Sequence, residues 1–436
     1  MQTSFTLAQL ADPDVAAAND ILRSCVHCGF CLATCPTYLL LGDELDSPRG
    51  RIYLMKSMLE EDRAADAATA THIDRCLSCL ACMTTCPSGV HYMHLVDIGR
   101  AHIEDTYRRP FADRLLRTLL ARTMPYTGRF RLAMVGATLL RPLRFLTGGR
   151  LRAMLDLAPA MPAPRSPMEG AQIFLAEGPR RARVALLEGC VQPALKPAIN
   201  EATIRLLTRH GIEVVQAPGA GCCGSLAHHM GRRDESHVQA KANIDAWLRE
   251  ADADGSGGVG LDAILVNASG CGTTLKDYGF MFRAEPEWAP KAARVSALAQ
   301  DVTEFLVAQG IGNAARAPEN RGIAVAYHSA CSMQHGQKIQ REPRDLLRNA
   351  GFEVREIADG HLCCGSAGTY NILQSDLADA MRARKAANID ATGASVVATG
   401  NIGCIAQLER AIGMPVVHTV ELLDWATGGP KPAGLG

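Results

Sequence analysis

CVHCGFCLATCP, residues 25–36, and CLSCLACMTTCP, residues 76–87, spell one pattern twice: C-x-x-C-x-x-C-x-x-x-C-P. Three cysteines at successive three-residue steps surround one face of a cuboidal iron-sulfur cluster, and the fourth is delivered elsewhere. Two such runs make two [4Fe-4S] sites. In the interleaved arrangement that the motif implies, Cys25, Cys28, Cys31 and Cys86 hold one cluster, and Cys76, Cys79, Cys82 and Cys35 hold the other. Pro36 and Pro87 fix φ and remove a donor, which turns the chain away once the fourth cysteine is delivered. Structural zinc also takes four thiolates, but its ligands usually come as separated C-x-x-C pairs. A cubane capped by protein at every iron moves one electron at a time and offers no substrate position, so the runs point to electron relay.

Around these runs lies a chain of 436 residues, enough for roughly three domains at about 150 residues each. Lysine plus arginine equals aspartate plus glutamate at 45 each, so the whole molecule shows no bias toward nucleic acid. Sixteen cysteines would suggest disulfides in a secreted protein. The first residues, MQTSFTLAQLADPDVAAAND, have neither the basic nor the apolar region of a signal peptide. Arginines break every apolar run short of the ~20 residues that a membrane span requires. The cysteines are therefore expected to be reduced metal ligands in the cytoplasm.

Residues 1–24 read as an amphipathic lead-in, with Asn19 or Asp20 as a candidate cap. Between the two runs, Ile52, Leu54, Met55, Met58 and Leu59 recur at helical spacing after Pro48, a residue suited to a helix start. Residues 1–106 thus read as an all-α domain with two clusters. Arg49 and Arg51 could screen the charge of a thiolate-ligated cluster, although arginines beside a helix start are commonly just solvated. Residues 107–180 form a basic helical segment and a proline-rich linker, APAMPAPRSP. From 108 to 152 there are eleven arginines against one acid, Asp113, a local charge of +10. Leucines and Phe145 are interspersed among them. Such a segment can lie peripherally on an anionic surface such as the cytoplasmic face of the inner membrane, or pack on the rest of the protein or a partner.

The second half is an internal duplication. LLEGC at Cys190 matches YHSAC at Cys331, AGCCGS at Cys222 and Cys223 matches HLCCGS at Cys363 and Cys364, and NASGC at Cys271 matches GNIGC at Cys404. The first interval is 32 residues in both copies; the second is 48 against 40, and the loop DADGSGGVG of the first copy can absorb the excess. KANIDAWL at Lys241 and KAANIDAT at Lys385 match as well. Each copy opens with a strand-like run, RVALLEG or GIAVAYH, continues with helical spacing and closes with DAILVNA or SVVATG. Two α/β units with parallel sheets follow, over residues 181–310 and 311–436, with the cysteines in loops at the carboxyl ends of strands.

All eight remaining cysteines fall on this repeat: Cys190, Cys222, Cys223 and Cys271, then Cys331, Cys363, Cys364 and Cys404. Four thiols per copy suffice for a further cluster or a zinc ion. The alternative is that they are small apolar residues in a core. Neighbouring glycines (Gly221, Gly224, Gly270, Gly272, Gly365, Gly403) would let the backbone approach a bulky group. Gly255, Gly257 and Gly260 satisfy G-x-G-x-x-G, but a strand follows them instead of preceding them, so no nicotinamide site is expected. Asn267-Ala268-Ser269 matches a glycosylation acceptor that would be idle in the cytosol.

Two cluster runs followed by two cysteine-cysteine-glycine (CCG) repeats resemble the iron-sulfur electron-transfer proteins of the heterodisulfide-reductase-like group. Within it, the likeness is greatest to the glycolate oxidase (glycolate dehydrogenase) iron-sulfur subunits. It is carried by ILRSCVHCGFCLATCPTYLLLGDELDSPRGRIYLMK, TTCPSGVHYMHLVDIGR, LLEGCVQP, KANIDAW, ASGCGTTLKDYG and HLCCGSAGTY. The resemblance implies a multisubunit oxidoreductase that converts glycolate to glyoxylate. Flavin-containing (FAD) partner subunits would perform the oxidation, and this chain, with no catalytic residue of its own, would pass electrons toward the quinone pool. Equivalent subunits for lactate or glycerol 3-phosphate, or a disulfide reductase using the CCG site, are the alternatives. The fuller family pattern ends in C-x-x-C, where this chain has Thr274 and Gln407.

Overall fold

The computed structural model describes residues 1–159, 161–252, 259–311 and 322–435. Six helices build the N-terminal part: α1 (Pro13–Ser24), α2 (Pro36–Leu41), α3 (Pro48–Glu60), α4 (Ala67–Asp74), α5 (Ala81–Thr85) and α6 (Tyr92–Thr106). The α1 cap is neither Asn19 nor Asp20. Asp12 accepts from the Asp14 and Val15 amides, and Pro13 occupies the first helical position, where its missing N–H costs nothing. Pro48 does start α3, behind Ser47, whose Oγ accepts from the Gly50 amide at 3.0 Å. Leu22, Met55, Met58, Leu95 and Ile103, one stripe from each of α1, α3 and α6, close the core of this part.

The basic stretch is helical: α7 (Phe111–Thr123), α8 (Thr127–Leu140), a 3-10 turn (Arg141–Leu146) and α9 (Gly149–Leu157). Its arginines are only partly free. Arg109 and Arg117 are buried on Asp74 and Asp113, Arg150 reaches Asp113, and Arg131 reaches Glu169. Leu120 packs against Ile372 and Leu373. Packing on the rest of the protein thus absorbs part of the +10. What remains outward is apolar as well as basic: Leu132, Leu139, Phe145 and Leu146 are all more than two-thirds exposed.

Two sheets follow. The first orders β1 (Gln172–Phe174), β3 (Ile212–Gln216), β2 (Ala182–Leu186), β4 (Ala263–Val266) and β5 (Ala299–Asp301), parallel except for the edge strand β1. The strand β1 lies inside the stretch read as linker, so the first sheet begins before residue 181. The second sheet orders β7 (Glu353–Glu356), β6 (Ala324–Tyr327), β8 (Val396–Thr399) and β9 (Val416–His418), all parallel. Strands β2, β4, β6 and β8 are buried on both faces, which is why they read as unbroken apolar runs. Both sheets share one apolar core, and the mixed architecture, helical then duplicated α/β, is the expected one.

The topology gathers the repeat cysteines. In the first sheet β3, β2 and β4 are neighbours, and Cys222–Cys223, Cys190 and Cys271 follow them respectively. In the second, β7, β6 and β8 are neighbours, and Cys363–Cys364, Cys331 and Cys404 follow those. Parallel strands put all three loops at one edge. Gly255 and Gly257 lie outside the described residues, as does most of the glycine-rich loop; Gly260 stands just ahead of β4. Asn267 is buried, with its amide held by Asn200 and Thr203, so it offers no acceptor surface.

Candidate metal centres

The first run winds around a hollow lined by Cys25, Cys28, Cys31 and, from the other run, Cys86. Cys82 also reaches its wall. Gly29, at φ +86°, turns the loop between Cys28 and Cys31; a Cβ there would sit 2.7 Å from the Arg49 guanidinium. Cys28 is exposed, and its neighbours Val26 and Phe30 are bare. Burial pushes the Cys31 thiol up to about 11, the state in which a metal must displace its proton.

The second group is enclosed. Cys35, Cys76 and Cys79 are buried. Burial, followed by the neighbouring Cys79, Cys76 and Cys35, pushes the Cys82 thiol well up. Cys35 acts on Cys79 and on Cys82, and Cys31 acts on Cys82 too, so thiols of the first run reach the second group. Tyr92 donates to the Cys76 sulfur at 3.7 Å, and the Arg51 guanidinium stands 3.9 Å from the Cys35 sulfur. Only 1% of Arg51 is exposed, so it is not a solvated arginine. It donates to the His72 carbonyl at 2.7 Å, to Thr37 at 3.0 Å and to the buried Asp46 at 3.3 Å. Asp46 also takes Arg75 at 2.8 Å and His72 at 3.0 Å. Arg51 is thus the cation that faces the second thiol group, with Asp46, Asp43, His72 and Arg75 gathered behind it. Arg49, by contrast, pairs with Glu44 at 2.6 Å on the surface. The donor sets thus fit two thiolate-ligated clusters: four thiols each, one group with compensating charge.

In the repeats, Cys222 lies in hydrogen-bond reach of both Cys190 and Cys223, and Cys223 in reach of Cys271. Hydrogen bonds from Cys190 and Cys223 pull the Cys222 thiol down, whereas Cys190 and Cys223 are pushed up. In the second copy the Cys331 and Cys363 sulfurs are 3.6 Å apart and those of Cys364 and Cys404 3.5 Å. Each copy therefore brings its four thiols together. The CCG glycines have a different task from the one expected. Gly224 and Gly365 take φ of +86° and +88°, and a Cβ on them would strike the Ser236 and Ala378 carbonyls at 2.9 and 2.5 Å. They fit the turn against the following helix and do not make room for a ligand. Thr274 and Gln407 are turned to the backbone, bonding the Gly270 and Ala378 carbonyls.

Two features went unread in the sequence. His328, directly after β6 and 2% exposed, has ring nitrogens with no partner among the described residues. Its ring nitrogen and the Cys364 and Cys404 sulfurs all lie within 4.8 Å of one another. The second feature is a junction. Leu77, Cys79 and Ala81 pack with Cys363, Tyr370 and Met381, and Cys331 lies against them. Thr84 bonds His335 at 2.7 Å, and the Tyr370 hydroxyl donates to the Arg75 carbonyl at 3.1 Å. The enclosed cluster group thus abuts the thiols of the second repeat.

A family model described as a 4Fe-4S dicluster domain matches residues 21–90, and one described as a cysteine-rich domain matches twice, at 184–276 and 325–409. The glycolate oxidase iron-sulfur subunit of Escherichia coli (strain K12) is 41% identical to this chain, over 98% of it and 99% of its own length. The probable glycolate oxidase iron-sulfur subunit of Bacillus subtilis (strain 168) is 32% identical over 93% of this chain and 94% of its own. Lactate utilization protein A of Bacillus licheniformis is 27% identical over 56% of this chain. A crystal structure of a hypothetical protein from Helicobacter pylori has a similar fold, with a TM-score of 0.50 at 10% identity over 98% of this chain and 74% of its own. Among the described residues no helix is long and apolar enough to cross a membrane. Eight cysteines of a dicluster domain, two cysteine-rich repeats and full-length identity above 40% place this chain in the family of glycolate oxidase iron-sulfur subunits.

Proposed function

We propose that this chain is the electron-transfer subunit of a multisubunit, flavin-dependent glycolate oxidase, passing electrons from FAD-bearing partner subunits toward a quinone. Cys25, Cys28, Cys31 and Cys86 ligate one cluster in this reading, and Cys76, Cys79, Cys82 and Cys35 the other. When bound, such clusters supply one-electron transfer with no open coordination site. What supports the reading is the placing of the fourth cysteines: Cys86 lines the first hollow with Cys25, Cys28 and Cys31, and Cys35 lies close enough to act on Cys79 and Cys82. Glycolate as the substrate rests on relatives matched along nearly their whole length.

The protein's own residues do the rest. Arg51 offsets thiolate charge at the enclosed group, and Asp46 holds that guanidinium in place. The bare surface around Cys28 lets a partner approach the open group directly. Leu132, Leu139, Phe145 and Leu146, set among arginines, suit shallow contact with an anionic membrane surface at the cytoplasmic face. Liposome flotation tests that contact: it should need anionic lipid and weaken with salt, and binding indifferent to both would sink it.

The isolated chain with its clusters intact is expected to show no glycolate-dependent dye reduction, because two-electron oxidation of a hydroxy acid needs a flavin or nicotinamide beside the substrate. Adding flavin-containing partner subunits should restore dye reduction. Glycolate turnover by the single, flavin-free chain would falsify the relay assignment.

A further inference from the structure

We infer that a cavity at the seam between the helical domain and the first repeat seats the ring of a quinone, with His94 and His228 as the acids that protonate its two oxygens. The inference rests on the relay reading above and names where the electrons leave. The cavity measures about 330 Å³, within the range of small-molecule sites. One wall is a single stripe of α6, where His94, Asp97, Ile98 and Ala101 recur at helical spacing. The facing wall comes from the first repeat, with His228, Asp277 and Met281.

Two acid-base pairs cross that seam in opposite senses. His94 of α6 meets Asp277 of the repeat at 2.8 Å, and Asp97 of α6 meets His228 of the repeat at 3.3 Å. The His94 ring is clamped between His91 and Phe280, with centroids 3.8 and 3.4 Å away, so its edge is fixed on the cavity. Against the effect of burial, Asp97 holds His228 above its ordinary value, which leaves that ring a proton to give.

Charge selects the ligand. Among the described residues six carboxylates and two arginines line the cavity, and both guanidinium groups are already on Asp14. A hydroxy acid or other anion therefore meets net negative charge and no unpaired arginine. Nor is the cavity gathered about a metal ion: among the described residues no three of its ligating side chains bring donor atoms within 4.8 Å of one another. A neutral molecule with an acceptor oxygen at each end matches, and a quinone is such a molecule. Its reduction balances as one quinone, two electrons and two protons giving one hydroquinone, with one new O–H bond at each oxygen.

The electrons have a short way to come. Tyr92 and Arg100, off the cavity stripe of α6, reach the Cys76 sulfur at 3.7 Å and the Cys76 carbonyl at 2.6 Å. A single helix, about 10 Å across, thus stands between the enclosed thiol group and the cavity. The rim at Asp12 and Arg233 is exposed, so water returns the protons to both histidines.

The test uses the full chain, anaerobic and with its clusters intact, and needs no glycolate. Isothermal titration with a short-chain ubiquinone reads binding to the oxidised chain. Stopped-flow reoxidation after dithionite reduction compares that quinone with ferricyanide, which takes one electron and no proton. The unmodified chain should bind the quinone and be reoxidised by both. Ala101→Phe, which fills the cavity, should abolish binding and the quinone reaction. His94→Gln should weaken binding about tenfold and slow the quinone reaction on the order of a hundredfold. Ferricyanide should reoxidise both variants as fast as the unmodified chain, the sign that fold and clusters survive. No reaction of the unmodified chain with quinone, equal quinone rates in all three chains, or equal slowing with both oxidants would each overturn the inference and leave the relay reading standing. Clusters that neither oxidant can discharge would sink the relay reading itself, and the quinone seat with it.

Discussion

The two cysteine runs are spelled alike and housed differently. The first group has an exposed ligand, Cys28, an open hollow and an arginine, Arg49, that is neutralised by Glu44 at the surface. The second is closed in by Tyr92, carries the buried Arg51 at 3.9 Å from Cys35 and is roofed by the second repeat. Spacing decides that both can hold a cluster. Surroundings decide how each behaves, because potentials follow solvent exposure, net charge and hydrogen bonds to sulfur. The open group suits exchange with a partner, and the enclosed group suits storage or onward transfer inside the protein.

The sharpest way to break that comparison is to remove the crossing thiols one at a time. Cys35→Ser should abolish the enclosed cluster, with loss of about half the iron, while leaving the open one; Cys86→Ser should do the reverse. Iron content and the two paramagnetic signals after reduction report which cluster is gone. Loss in Cys35→Ser confined to the cluster of Cys25, Cys28 and Cys31 would show that the runs do not interleave.

Charge is the next lever. A unit charge about 4 Å from a sulfur at an effective dielectric near 20 is worth about 4 kcal/mol, which delocalisation over a cluster reduces to an effect on the order of 100 mV. Arg51→Met should lower the potential of the enclosed cluster by about that much, since losing a cation makes reduction harder. Arg51→Lys should recover most of it, and Arg49→Met should move the open cluster far less because water and Glu44 already screen it. Redox titration followed by electron paramagnetic resonance separates the cases. Equal shifts from the two Met variants would erase the distinction between the sites.

Much of this was readable in advance, for identifiable reasons. The cluster runs are local, so spacing alone exposes them. Buried parallel strands show as apolar runs, and the 32-residue interval repeats because each copy must return its CCG turn to the same sheet edge. What stayed hidden is tertiary. Arg51 looks like any arginine after a helix-starting proline until α4 and Asp46 close over it. The strand β1 is three residues long and is defined only by its pairing with β3. The contact of Cys79 with Cys331 and Cys363 joins segments some 250 residues apart. His328 alone had a signal: it is a polar residue at the end of a buried strand where the sister copy has Leu187.

The smallest effect concerns how the helical domain is held. Against the second repeat its contact is mainly apolar, through Leu77, Ala81, Tyr370 and Met381. Against the first repeat it is ionic: Asp97 of α6, 8% exposed, faces His228 at 3.3 Å and His229 at 3.4 Å, and His94 meets Asp277 at 2.8 Å. Burial alone would lower His228, but Asp97, aided by Asp277 and opposed by Arg233, holds it above its ordinary value. Burial would raise Asp97, yet His228 and His229 hold it below the usual carboxylate range. A raised histidine contributes stability that is complete below about pH 6.5 and fades as pH rises through its folded value; a depressed carboxylate loses its share only under acid. Asp97→Asn should therefore lower the unfolding midpoint more at pH 6 than at pH 8, by roughly 2 °C for about 1 kcal/mol. Tyr370→Phe, at the apolar contact, should cost the same at both pH values. If the Asp97→Asn deficit is equally pH-independent, the ionic pairs do not hold the domain to the first repeat, and the two contacts differ in composition but not in how they respond to protons.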